Sequence, residues 1–98
     1  MKIEKIENGN ETTLKLIGCL DTAAAPDFDA ALVANAEAKM LVIDFTELEF
    51  IASSGLRSLV AANKKAASAG RSIVLAGMND VVADVFDVTG LNEVFTVR

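Results

Sequence analysis

Two adjacent serines and a glycine, Ser53, Ser54 and Gly55, are the residues of this 98-residue chain whose types and spacing best suit chemistry. They stand between an apolar run, Met40 to Ile43, and a stretch with the spacing of an amphipathic helix. Their hydroxyls therefore sit at the mouth of a helix. A helix start carries unpaired N–H groups and a partial positive charge, so it stabilises a phosphate or other anion. A serine there is a candidate for reversible phosphorylation, and it is equally the residue type favoured as an N-cap. We expect one of the pair to cap the helix while the other faces solvent. Gly55, lacking a Cβ, reads as room for a partner's backbone or a phosphate to approach. Arg57 lies one turn beyond Ser54, within helical reach of such a phosphate, and suits a solvated surface charge equally well.

Other chemistries have less support. Asp21 and Asp44 near strand ends could bind Mg²⁺ or orient a phosphate, but both positions favour Asp for local hydrogen bonding, as an N-cap and a turn residue. The nucleophile-elbow pattern G-x-S-x-G is absent, since the chain reads Ile51-Ala-Ser-Ser-Gly-Leu56. With no His there is no ordinary general base, no phosphohistidine relay and no commonest metal ligand. No Walker A glycine-rich loop is present. Cys19 is the only cysteine, so no internal disulfide forms; a lone thiol with no basic neighbour in sequence reads as core filler. The expectation is no catalytic residue, no metal and no cofactor.

The elements that position these residues follow from periodicity. Lys2–Glu7 and Thr12–Ile17 alternate as strands around an Asn8-Gly9-Asn10 turn, and Gly18 should break the second strand. Asp21 or Thr22 caps a helix expected over 24–38, with Pro26 early in it and Phe28, Ala31 and Leu32 on its apolar side. Met40–Asp44 reads as a strand covered on both faces. The next helix should bury Leu56, Leu59, Val60 and Ala67 and stop at Gly70. Ser72–Ala76 is a further buried strand. Asn79 or Asp80 caps a short helix carrying Val82, Val85 and Phe86, ended by Gly90, and Val94–Val97 reads as a final strand.

The order β-β-α-β-α-β-α-β predicts one α/β domain over residues 1–98. Its sheet should be mixed and mostly parallel, with the N-terminal hairpin at the edge and three to four helices packed on it. The chain is 52% hydrophobic, rich in Ala and Val, so a core can form without disulfides. A net charge of −5 and the absence of Trp and Tyr argue against nucleic acid, which calls for cationic surfaces and stacking platforms. No signal peptide and no apolar run of membrane-spanning length is visible, which predicts a cytoplasmic protein without membrane insertion.

Three patches resemble the STAS domain family, in particular its small single-domain anti-sigma factor antagonists. Gly18-Cys-Leu-Asp21 is similar to the family's G-x-L-D, Leu41 to Ile51 to its buried strand and following loop, and Ala52-Ser-Ser-Gly-Leu56 to its D-S-S-G-L motif. Val82 to Leu91 fits the spacing of its last helix and G-L stop. The resemblance implies a partner switch. The unphosphorylated antagonist binds an anti-sigma factor that is also a serine kinase and so frees the sigma factor; phosphorylation breaks the complex, and a serine phosphatase resets it. By position the acceptor is Ser54, with Ser53 as the alternative. The partner-binding residues are Asp21, Ser53, Ser54, Gly55 and Arg57. One departure stands out: the family's motif acid falls at Ala52, a difference that bears on phosphorylation rather than on the fold. The resemblance also admits a STAS adaptor subunit of a transport or other signalling complex with no phosphate cycle.

Overall fold

The computed structural model describes residues 1–98. Alternating charge and apolar residues with a two-residue turn at Gly9-Asn10 produce an antiparallel hairpin, β1 (Lys2–Asn8) and β2 (Glu11–Leu20). Then follow α1 (Ala25–Ala34), β3 (Met40–Ile51), α2 (Ser53–Ser68), β4 (Ser72–Ala76), α3 (Asp80–Val88), a single 3₁₀ turn at Leu91–Glu93 and β5 (Thr96–Val97). The sheet order is β1-β2-β3-β4-β5, parallel from β2 onward. The mixed sheet with its hairpin edge is as expected, with three α-helices.

One contiguous core joins Leu14, Leu16, Leu41, Ile43 and Leu75 of the sheet to Phe28 and Leu32 of α1, Leu56 and Leu59 of α2, and Val82 and Phe86 of α3. All three helices therefore cover the same face of the sheet. β3 is buried on both faces over Leu41–Ile43, as expected, but the helices account for only one of them: Val42 and Val74 lie outside the helix-covered core and are buried all the same. The guanidinium of Arg98, past the last strand, pairs with Glu11 of β2 at 2.6 Å and so ties together the far sides of the parallel strands. Phe45, Phe86 and Phe95 form the centre of the core, with ring centroids 5.8 and 6.1 Å apart in tilted and edge-to-face arrangements.

Several boundaries differ from the periodicity reading. β2 does not break at Gly18 but continues to Leu20. β3 is far longer than Met40–Asp44 because its second half pairs with β2 across two bulges. Between Lys15 and Ile17 the partner strand advances from Asp44 to Glu47, and between Gly18 and Cys19 from Leu48 to Phe50. Each extra residue on β3 bends the strand and shifts which side chains face the core. α1 stops at Ala34 rather than 38, because Asn35 turns its side-chain amide back onto the Ala31 carbonyl at 2.8 Å and takes a non-helical conformation. In α2 the buried stripe continues through Ala62 and Ala66, while Ala67 is exposed. Gly70 does end α2 as expected, in a left-handed conformation, with Arg71 N–H bonded to the Ala66 carbonyl and Gly70 N–H to that of Ala67. β5 is only Thr96–Val97.

The first bulge is held by Asp44, whose Oδ1 accepts from the Thr46 N–H at 2.9 Å and from its hydroxyl at 2.6 Å. Gly77, at φ +67°, lies against this turn so closely that a Cβ would stand 2.1 Å from Thr46 Oγ1. Gly77→Ala should thus destabilise the domain by about 2–4 kcal/mol, through left-handed strain and overpacking together. Urea unfolding measures this directly; a change below about 1 kcal/mol would mean that the Asp44–Thr46 turn can move aside. Lys15, opposite Asp44, pairs with Glu47 at 2.5 Å. The hydrogen bond to Glu47, then its charge, holds the Lys15 ammonium above the ordinary lysine range. The stabilisation from this pair is present below that ordinary range and lost only as pH rises past the folded-state value.

Candidate functional site

β2 and β3 are parallel neighbours, so the helices that follow them begin side by side. The last rung between the strands is the Ala52 N–H donating to the Leu20 carbonyl at 2.8 Å. Past it, β2 turns into α1 through Asp21 and Thr22, and β3 enters α2 directly at Ser53. Two stretches separated by some thirty residues of chain are thereby placed against each other, and Ser54 Oγ lies 3.5 Å from Thr22 Oγ1. That distance is beyond a good hydroxyl–hydroxyl hydrogen bond, so the contact positions the Ser54 hydroxyl without fixing it.

Asp21 caps the turn leading into α1 rather than the helix itself, whose N-cap is Ala24 with no side-chain cap, a correction to the expectation for Asp21 and Thr22. The Asp21 Oδ1 accepts from Ala24 N–H at 2.9 Å, and its carbonyl accepts from Ala24 and Ala25. Neither Ser53 nor Ser54 caps α2, which corrects the expectation for that pair. The N-cap is Ala52, in the extended conformation of a cap (φ −87°, ψ 164°) but with no side chain able to accept. The reason is the length of β3: sheet pairing persists to Ile51, which moves the helix start one residue ahead of the serines. The N–H groups of Ser53, Ser54 and Gly55 are consequently left without partners, the first intrahelical bond being Leu56 N–H to the Ala52 carbonyl. Ser53 is exposed and Ser54 half-buried. The Ser58 hydroxyl donates to the Ser54 carbonyl at 3.1 Å, one turn deeper.

Gly55 has a different role from the one expected. It is buried, and a Cβ there would lie 2.7 Å from Leu20 Cγ and Cδ2. The missing side chain lets α2 settle onto the end of β2. Arg57 is exposed and makes no ion pair. Asp44 is not brought to Asp21: it pairs with Lys15, while Leu20, next to Asp21, pairs with Ile51 at the other end of β3. The two acids form no joint site, and no cluster of three or more metal-ligating side chains exists. Cys19 is exposed rather than in the core. It pairs with Phe50, which is 48% exposed and precedes the serines at the end of β3. Phe50 was missed because it is out of phase: Leu48 and Ile51 both face the core, and only the second bulge turns Phe50 outward.

The vacant cap has a measurable consequence. Ala52→Asp would supply an acceptor for the N–H of Ser54 or Gly55 on a backbone already in cap geometry. It should stabilise the domain by about 1 kcal/mol, raising the thermal midpoint by several degrees. An unchanged midpoint would show that the carboxylate does not reach those donors.

The C-terminal ends of β2 and β3 thus bring together a helix mouth with unpaired donors, two serines and a flanking acid. The family profile described as "Mlab, STAS domain" matches residues 3–97. The chain belongs to the STAS domain family. The anti-sigma-B factor antagonist of Listeria monocytogenes is 31% identical over 83 residues, spanning 83% of this chain and 73% of that protein. An anti-sigma factor antagonist from Mycobacterium paratuberculosis superposes with a TM-score of 0.90 at 22% identity, over 98% of this chain and 83% of its own. The unphosphorylated anti-sigma factor antagonist SpoIIAA superposes at 0.85 with 18% identity, over 99% and 88%. These two likenesses establish the shared fold. No helix is long and apolar enough to cross a membrane.

Proposed function

We propose that this domain is a cytoplasmic anti-sigma factor antagonist whose binding is switched at Ser54. One observation carries the reading: the Ser54 hydroxyl stands at the mouth of α2, near solvent, with no structural duty, because the cap position belongs to Ala52. A phosphate added there would bring about −1.5 to −2 charges beside unpaired N–H donors, so the fold would tolerate it. Its effect falls on the docking surface formed by Asp21, Thr22, Phe50, Ser53, Ser54 and Arg57. The partner is an anti-sigma factor with serine kinase activity, and a serine phosphatase completes the cycle. Ser53, more exposed, is the alternative acceptor. Gly55 contributes to this surface by holding α2 close to β2.

A second reading, an adaptor subunit of a transport or other signalling complex without a phosphate cycle, is favoured by Ala52, which stands where the family motif has its acid. Capture from the source organism's extract separates the two. The domain is used as bait in wild-type, Ser54→Ala and Ser54→Glu forms. A serine-kinase partner held by the first two and released by Ser54→Glu supports the switch. Equal capture by all three, or a transport ATPase as the main prey, removes it in favour of the adaptor.

A further inference from the structure

At the other end of α2 from the serines, a cleft of about 330 Å³ opens between α1 and α2. It exists because the α2 face turned toward α1 is built from Ala61, Ala62, Ala66 and Ala69, which are too short to fill the space left beside Leu32. The floor is apolar, closed by Leu41 and Ile73 at the start of β3 and β4. A hydrocarbon segment packed against that floor is removed from water at apolar surface.

The rim carries charges of both signs, Asp29 and Glu37 from the α1 side and Lys65 and Arg71 from the other. Only Arg71 is held in place. It is half-buried, and its Nη1 donates to the Ala36 carbonyl at 3.0 Å, which leaves further guanidinium N–H groups unused and no carboxylate paired to it. Asp29, Glu37 and Lys65 are exposed and make no ion pair. A fixed guanidinium orients an anion with defined geometry, whereas the exposed side chains of Asp29, Glu37 and Lys65, of opposite signs, hold no fixed position toward it.

We propose that this cleft binds a small amphipathic monoanion, with its hydrocarbon part between Leu32, Ala62 and Ala66 and its carboxylate at Arg71. The size suits a medium-chain carboxylate or a compact aryl acid of roughly ten to twenty heavy atoms. The site lies on α1 and the C-terminal half of α2, so it stands independently of any role of Ser54.

Titration with decanoate, kept below its micellar concentration, tests the proposal by calorimetry and by amide and methyl NMR shifts. Saturable one-to-one binding is expected, with shifts confined to α1, α2 and the starts of β3 and β4. Decanol should bind at least about tenfold more weakly. Arg71→Gln, which keeps a donor for the Ala36 carbonyl, should reduce decanoate binding to the level of decanol. Ala62→Leu, which fills the cleft, should abolish binding of both while leaving the domain folded. If that variant fails to fold, the Arg71→Gln comparison decides. No saturation at millimolar decanoate, equal affinity for decanol, or shifts on the open face of the sheet would overturn the assignment. So would binding only to anionic phospholipid vesicles, which would indicate a membrane surface.

Discussion

If the domain binds an anti-sigma factor kinase as proposed, phosphorylating Ser54 should weaken that complex several hundred-fold while leaving the domain at least as stable as before. The two halves of this result come from the two sides of the α2 mouth. Within the domain, the phosphate meets the unpaired N–H groups of Ser53, Ser54 and Gly55 and the positive end of a helix, with Asp21 the only carboxylate in the adjoining turn. In the proposed complex, the same dianion would have to be desolvated against a surface shaped for a neutral hydroxyl. A loss of ~3–4 kcal/mol there corresponds to a several-hundred-fold change in Kd. Calorimetric titration of the phosphorylated and unmodified domains against the kinase measures the first half, and thermal unfolding the second. An affinity unchanged by phosphate would place the contact surface elsewhere. A sharp fall in the thermal midpoint would mean that the hydroxyl has a structural role after all. Ser54→Ala should bind like the unmodified protein, since the hydroxyl's single contact, with Thr22, is long.

Phe45→Ala should come near to unfolding the domain. The ring is fully buried on β3, directly after Asp44, and packs against Phe86 of α3, which in turn packs on Phe95. Removing it leaves a cavity beside strands whose pairing on both sides of β3, up to Asp44, limits how far the sheet can close on it. Such truncations cost about 3–5 kcal/mol, against total stabilities of about 5–15 kcal/mol for domains of this size. The thermal midpoint should fall by more than ~10 °C, and chemical denaturation should show a matching drop. A loss below about 1.5 kcal/mol would show that the Phe86 and Phe95 rings repack into the space. Phe45 also begins the bulged half of β3, so its loss should loosen the route by which the strand reaches the serines, and weaken partner binding as well.

Much of this was legible from residue order. The alternation in Lys2–Glu7, the apolar runs at Met40–Ile43 and Ile73–Ala76, and the stops at Gly70 and Gly90 place nearly every element. Asn79, expected as a cap, accepts from the Val82 N–H at 3.0 Å. Errors cluster where pairing between distant strands overrides local preference. Gly18 is a strand breaker by propensity, yet β2 continues because β3 supplies partners for it up to Leu20. The Ser53-Ser54 pair has ideal capping chemistry, yet the same pairing carries β3 to Ile51 and hands the cap to Ala52.

The sequence by itself determined the element order, the mostly parallel sheet, the nearness of two serines to a helix start, and the lack of histidine chemistry. These depend on residue type and on periods of two and 3.6, which are local properties. The tertiary structure alone decided which residue caps α2, that Gly55 is spent on contact with Leu20, that Phe50 and Cys19 face outward, that Thr22 meets Ser54, and that a cleft opens where α2 presents alanines to α1. Each of these depends on a register or a packing distance between segments far apart in the chain. A one-residue bulge in β3 reverses which side chains face the core, and nothing in the local sequence encodes where that bulge falls.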